Sequence, residues 1–164
     1  MTEPGNLQPQ PPGSYGAQPP GGATGPRANF GQRLLAALID GVVVGIPFAI
    51  LFFALKGVGY FVGILLSVAY GVYLEAGPSG QTVGKLAMGI RVVRLDTGGP
   101  LGWGPAAIRW VVRTFISGLL CALGYFWMLW DKEKQTWHDK AAGTVVVPAS
   151  AYPPPPNSFG QPPS

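Results

Sequence analysis

"LLAALIDGVVVGIPFAILFFAL", Leu34 to Leu55, is a run of 22 residues with one charge, Asp40. As a helix rising 1.5 Å per residue it spans about 33 Å, enough for a hydrocarbon core of about 30 Å. Pro47 lies inside the run and predicts a kink. A second apolar run, "GVGYFVGILLSVAYGVYL" from Gly57 to Leu74, carries no charge, and only Lys56 separates the two. So short a connection requires antiparallel neighbours. The pair therefore reads as a transmembrane helical hairpin, with helices over about 33–55 and 57–75. Gly41, Gly45, Gly63 and Gly71 would let the two backbones approach closely. Glu75, Gly77, Pro78 and Gly80 end the second helix.

The composition agrees. A chain of 164 residues is expected to form one modest domain. Charged residues make up 11 % of it, against roughly 25 % in soluble domains. Mean hydropathy is +0.28 although both ends are polar, so the middle is far more apolar than the average. The net charge of +4 reads as lysine and arginine on the cytoplasmic side of a membrane, not as a nucleic-acid footprint. Cys121 lies alone in an apolar run and is assigned to packing.

Residues 1–29 hold seven prolines, six glycines and two charges, Glu3 and Arg27. Such a segment buries too little surface to offset the entropy of ordering, so it reads as a disordered tail. Residues 149–164 read the same way. Their run Pro153 to Pro156 favours polyproline II, a ligand for an aromatic groove or simply a solvated tail. The membrane domain is thus placed at 30–148.

Residues 76–105 are polar and glycine-rich. Within them "IRVVRLD" (Ile90 to Asp96) suits a short strand followed by a "DTGG" turn, and "TVVV" (Thr144 to Val147) is a second strand candidate. A third hydrophobic segment, about 105–130, starts with Pro105 in its first turn and closes with Trp127 and Trp130. It reads either as a single span or as a re-entrant element broken near Gly118 or Gly124. Arg27 and Arg33 precede the first helix, and Lys85, Arg91 and Arg94 follow the second, so the N-terminus and the 76–105 loop are expected inside. The re-entrant version also keeps Lys132, Lys134 and Lys140 inside and lets the two strands meet.

"GQTVGKLAMG" (Gly80 to Gly89) has the look of a phosphate loop. A Walker A loop needs G-x-x-x-x-G-K-[ST], whose amides and lysine surround phosphates and whose hydroxyl holds magnesium. Here Ser79 stands in place of the first glycine and Leu86 in place of the hydroxyl, and a membrane helix precedes the loop. Nucleotide binding is therefore rejected. In company with "RLLAALID" (Arg33 to Asp40), "AIRWVVR" and "WHDKAAGTVVV" (Trp137 to Val147), the stretch resembles the RDD family of bacterial membrane proteins, over about residues 30–148. The tails are similar to those of mycobacterial proline-rich antigens carrying such a domain. The resemblance implies that Arg33, Asp40 and Asp139 are the arginine and two aspartates that name the family, with Asp96 and Asp131 as rivals for the last. It also implies transport of unidentified ligands, or cation/proton exchange.

Asp40 stands out on physical grounds. An ionisable group costs about 2.5–3.5 kcal/mol near the centre of a span and so needs a reason. It reads as an ion- or proton-handling carboxylate, as half of a structural ion pair, or as a partner or lipid contact. Arg33 lies about 10 Å away along the helix axis and reaches it only by snorkelling or through a water. Arg109 and Arg113, spaced i, i+4, are alternative partners, interfacial anchors or contacts for an anionic headgroup. Lys85, after Gly80 and Gly84, is read as marking the cytoplasmic edge. Asp139 is read as accepting backbone N–H bonds in the "DKAAGT" turn. His138 has no second histidine beside it, so no metal site is expected. No nucleophile stands beside a base, so no enzyme and no cofactor are expected.

The expectation is an all-α multi-pass protein of the bacterial plasma membrane with a cytoplasmic N-terminus, a short cytoplasmic β element and two tails. Its partner is the lipid bilayer. A homo-oligomer would enclose a pathway, and protein partners would bind the tails if the chain is instead a non-catalytic scaffold.

Overall fold

The computed structural model describes residues 22–117 and 123–152. Cys121, Gly118, the run Pro153 to Pro156 and the first 21 residues lie outside the described residues. The described elements run α1 (Phe30–Ala76), α2 (Val83–Ala87), β1 (Ile90–Arg94), α3 (Trp103–Val111), a π-helical turn (Val112–Ser117), α4 (Leu123–Phe126), a 3₁₀ turn (Trp127–Leu129), α5 (Trp137–Ala141) and β2 (Thr144–Pro148).

Helix α1 starts at a capping box. The Asn29 side chain accepts from the Gln32 amide at 2.8 Å, and the Gln32 side chain accepts from the Asn29 amide at 3.1 Å. The helix breaks at Lys56, whose φ of 50° and ψ of −129° are not helical. The two arms then lie against each other. The rings of Phe48 and Tyr60 meet edge to face at 5.9 Å, and a Cβ on Gly63 would press into the Phe48 ring. Gly59 packs on the Leu51 carbonyl. Gly71 is tight as well, but against Trp110 of α3. Gly41 and Gly45, expected to bring backbones together, instead face open space. Much of α1 exposes large apolar side chains, among them Phe53, Phe61 and Leu65. Among the described residues it is the one helix long and apolar enough to cross a membrane.

A polar cap sits at the open ends of the arms. Its centre is an antiparallel pair in which Val92 faces Val146 and Arg94 faces Thr144, so the two strand candidates do meet. Side chains alternate across the sheet. Ile90, Val92 and Val146 pack toward Ala36 and Ala106 of the helices, while Val93, Val145 and Val147 pack under Ala23 and Tyr152. Both sheet edges are covered. The Val92 amide donates to Gly80 O at 2.8 Å, and the Ala28 amide donates to Val146 O at 2.9 Å. Residues 22–28 therefore belong to the packed unit, which corrects the expected tail boundary at residue 29. Tyr152 extends the unit past residue 148: its hydroxyl accepts from the Gly25 amide.

The third hydrophobic segment begins and ends beside this cap. Trp103 rests on Tyr73 at 5.9 Å, and Phe126 rests on Phe30 at 5.6 Å. Both contacts are at the open ends of the α1 arms.

Candidate functional site

Arg33, Ala36 and Asp40 are buried on one face of the first arm, at spacings of three and four residues. Ala36 is small, and Gly84 of α2 packs directly on its carbonyl. A Cβ at Gly84 would also come within 2.9 Å of the Asp40 carboxyl carbon. The close approach gives Asp40 its partners. It is 2 % exposed and accepts from the Tyr70 hydroxyl at 2.7 Å, the Thr82 hydroxyl at 2.6 Å and the Gly84 amide at 2.7 Å. Tyr70 O also accepts from the Val83 amide at 3.0 Å. The loop that resembled a phosphate cradle does bind an anion through its amide, and the anion is the protein's own carboxylate. Gly80, with φ of +59°, makes the turn into the loop, where a Cβ would strike Val92 O.

A chain of buried charges runs beside Asp40. Lys85 donates to Glu75 Oε1 at 2.6 Å, and Arg109 donates to Glu75 Oε2 at 2.9 Å. Arg109 also reaches Asp139 and donates to the Thr144 hydroxyl at 2.7 Å. Arg33 reaches the other oxygen of Asp139 and donates to Lys134 O at 2.9 Å. Asp139 further accepts from the Thr136 amide at 3.0 Å and the Thr136 hydroxyl at 2.8 Å. Burying a charge is costly unless it is paired and hydrogen-bonded, and these four charges and Lys85 are.

Burial pushes the Asp139 carboxyl up, but the guanidiniums of Arg33 and Arg109 more than reverse this and hold it well below the usual carboxylate range. Burial pulls Lys85 below the ordinary lysine range, with Glu75 opposing. Burial also holds His138 well below its usual value, against the pull of Asp139. His138 is therefore neutral. Its Nε2 lies 2.9 Å from the Thr136 hydroxyl, and its ring packs 5.1 Å from Tyr125.

The sequence candidates thus divide into two groups. Asp40 has neutral donors and pairs with no arginine among the described residues. Arg33, Arg109 and Asp139 join in one network. Asp139 does accept a backbone N–H, but its chief partners are the two guanidiniums. Its rivals sit apart: Asp96 pairs with Arg94 at the surface, and Asp131 pairs with Lys140. Lys85, read as marking the cytoplasmic edge, is buried, with Glu75 within its reach. Glu75 itself was read only as a helix end. Its signal was available: a carboxylate closing an otherwise uncharged run calls for cations nearby.

Arg113, half-buried in the π-helical turn, borders the network and lines small cavities with Glu75, Arg109 and His138 and with Lys85 and Tyr125. Among the described residues it makes no hydrogen bond and no ion pair. It lines a cleft of about 290 Å³ between the α1 arms and α3. Asp40, Tyr70 and Thr82 form the polar end of this cleft with it, and Val44 and Phe48 form the apolar end.

The family profile described as "RDD family" matches residues 27–143. A proline-rich antigen homolog of Mycobacterium tuberculosis is 36 % identical over 97 residues, 56 % of this chain and 40 % of the relative. The proline-rich antigen of Mycobacterium leprae is 33 % identical over 87 residues, 51 % of this chain and 34 % of the relative. The chain therefore spans well under half the length of these curated relatives. An uncharacterized protein of Bacillus subtilis, YckC, is 29 % identical over 135 residues, 75 % of this chain and 85 % of the relative. No solved structure matches the chain.

Proposed function

That this chain belongs to the RDD family is the premise from which we propose its function: a multi-pass protein of the bacterial plasma membrane that carries a small solute or ion past Asp40. In this reading the arms of α1 cross the bilayer as a hairpin. The arm from Phe30 to Leu55 is about 39 Å long and the arm from Gly57 to Ala76 about 30 Å, long enough for that. The cap is cytoplasmic, since Arg27, Arg33, Lys85, Arg91 and Arg94 lie at that end and Lys56 at the other. The third segment re-enters from the cytoplasmic side, a reading supported by the pairing of β1 with β2.

One observation carries the proposal. The cleft of about 290 Å³ joins a buried carboxylate to apolar walls inside the hydrophobic segment. That volume is near the lower end of small-molecule sites, about 300 Å³. The cleft is open, so a second copy would serve to close a pathway. The test is flux. Purified protein is placed in liposomes loaded with a pH-sensitive dye, and sodium and then potassium are added. A cation-driven pH change is expected in the wild type and is expected to vanish in Asp40→Asn. Because Asn turns an amide donor toward other donors, Tyr70→Phe serves as the milder variant and should slow the flux. Silence from well-inserted wild type would sink cation/proton exchange.

One observation favours a second reading, a non-catalytic scaffold. Gly25 and Tyr152 touch, so both proline-rich tails leave the cap at neighbouring points and would present partner motifs together. If that is the function, deleting residues 1–21 or 153–164 abolishes it while Asp40→Asn is tolerated.

A further inference from the structure

The charges around the cap do not balance. Arg33, Lys85, Arg109 and Arg113 face Asp40, Glu75 and Asp139, four cations against three carboxylates. His138 is neutral and adds nothing. Every carboxylate oxygen in the set already accepts from a donor: Glu75 from Lys85 and Arg109, Asp139 from Arg33 and Arg109, Asp40 from Tyr70, Thr82 and Gly84. The set as a whole, Asp40 included, keeps one positive charge in excess, and Arg113 is its one cation with no ion-pair partner among the described residues.

A guanidinium inside an apolar segment calls for an anion. Its planar fork suits phosphate oxygens. Ser67 and Thr114 also line the cleft. Behind it lies a small cavity of about 20 Å³ that Arg33, Lys85 and Arg109 also line, so their charges add to the field at this end. Asp40 faces the same cleft and opposes an anion; its oxygens are taken up by Tyr70 of α1, Thr82 and Gly84, and the set around it still carries one positive charge in excess. Away from this polar end the cleft continues along Gly41, Val44, Gly45 and Phe48. This wall is apolar, and Gly41 and Gly45 leave it open, with nothing within 4 Å of where a Cβ would stand.

A positive, hydroxyl-lined end joined to an apolar groove matches a phosphate headgroup with its acyl chain. We infer that an anionic phospholipid of the surrounding bilayer seats its phosphate on Arg113 and lays part of one chain along Gly41, Val44 and Gly45. The lipid phosphate offsets the one positive charge in excess within this set. The lipid shares the cleft with the proposed transport, but its binding is read from bound lipid and requires Arg113 and the groove, not flux.

The test uses the full chain in a neutral maltoside detergent, with bound lipid counted by native mass spectrometry. Phosphatidylglycerol is titrated against phosphatidylcholine, and inorganic phosphate is the third arm. One phosphatidylglycerol per chain is expected, retained about tenfold or more tightly than phosphatidylcholine, and falling to the phosphatidylcholine level in Arg113→Gln. Gly45→Leu fills the groove without touching a charge and should also lose the phosphatidylglycerol. Equal retention of the two lipids overturns the inference, as does a folded Arg113→Gln that keeps phosphatidylglycerol. Competition by inorganic phosphate that survives Gly45→Leu would make a free anion the ligand and overturn the lipid assignment. If Arg113→Gln does not fold, Gly45→Leu decides, and full retention there refutes the groove.

Discussion

Replacing Asp139 with asparagine isolates what the buried network contributes. Asp139 is 0 % exposed, and its two oxygens serve Arg33, Arg109 and both donors of Thr136. Asparagine keeps the shape, removes the charge and turns an NH₂ group toward a guanidinium. Two buried cations then lose their shared counter-charge. Breaking a buried pair in this way costs about 3–5 kcal/mol. At about 2–4 °C per kcal/mol for a domain of this size, the melting temperature should fall by roughly 6–20 °C. The assay is thermal unfolding of detergent-solubilised protein followed by tryptophan fluorescence. The pH dependence has a definite sign. Asp139 is depressed in the folded state, so its contribution is fully present above its unfolded value of about 4 and fades as pH falls further. The gap between wild type and mutant should therefore be constant from about pH 6 to 9 and close only in acid. Combining the change with Arg33→Gln should cost clearly less than the two single changes added together. A mutant melting within about 2 °C of wild type would refute the network as a structural element.

Gly84→Ala should lower stability by about 1–3 kcal/mol in the same melts, because its Cβ would strike Ala36 O and crowd Asp40. Gly45→Ala, with open space around it, should be neutral or stabilising by up to about 1 kcal/mol, and an equal loss at both sites would refute the packing account. Tyr152→Phe removes the acceptor for the Gly25 amide and should cost about 1 kcal/mol. Hydrogen exchange should then quicken at Gly25 while Val92, inside the sheet, stays protected.

The two apolar runs, the break at Lys56 and both strands were legible because each rests on a local pattern: length, hydropathy, β-branching, a single charge. Arg33, Asp40 and Asp139 were legible as individuals through the family resemblance. Their wiring was not. Arg33 and Asp139 are separated by 106 residues, and no local spacing connects them. Asp40 looked like the partner of an arginine because an isolated carboxylate in an apolar run suggests one. Tyr70, Thr82 and the Gly84 amide serve instead, and a backbone amide carries no sequence signal. Helices α2 and α5, five residues each, are too short to show a period. The burial of Lys85 was not legible because lysine is rarely buried, and its 2.6 Å contact with Glu75 explains the exception.

The bond between Arg33 and Asp139 also sets a schedule. Translation adds about 5–20 residues per second, so the 106 residues between them take roughly 5–20 s to appear. By the end of that interval α1 has been made, while Arg33 still lacks its carboxylate, Arg109 has only Glu75 and β1 lacks β2. A chain halted before Thr136 keeps these defects: an unpaired Arg33 guanidinium and an open β1 edge, which is a template for pairing with another chain. Completion of the C-terminal segment is thus the step that gives Arg33 its counter-charge and closes the β1 edge.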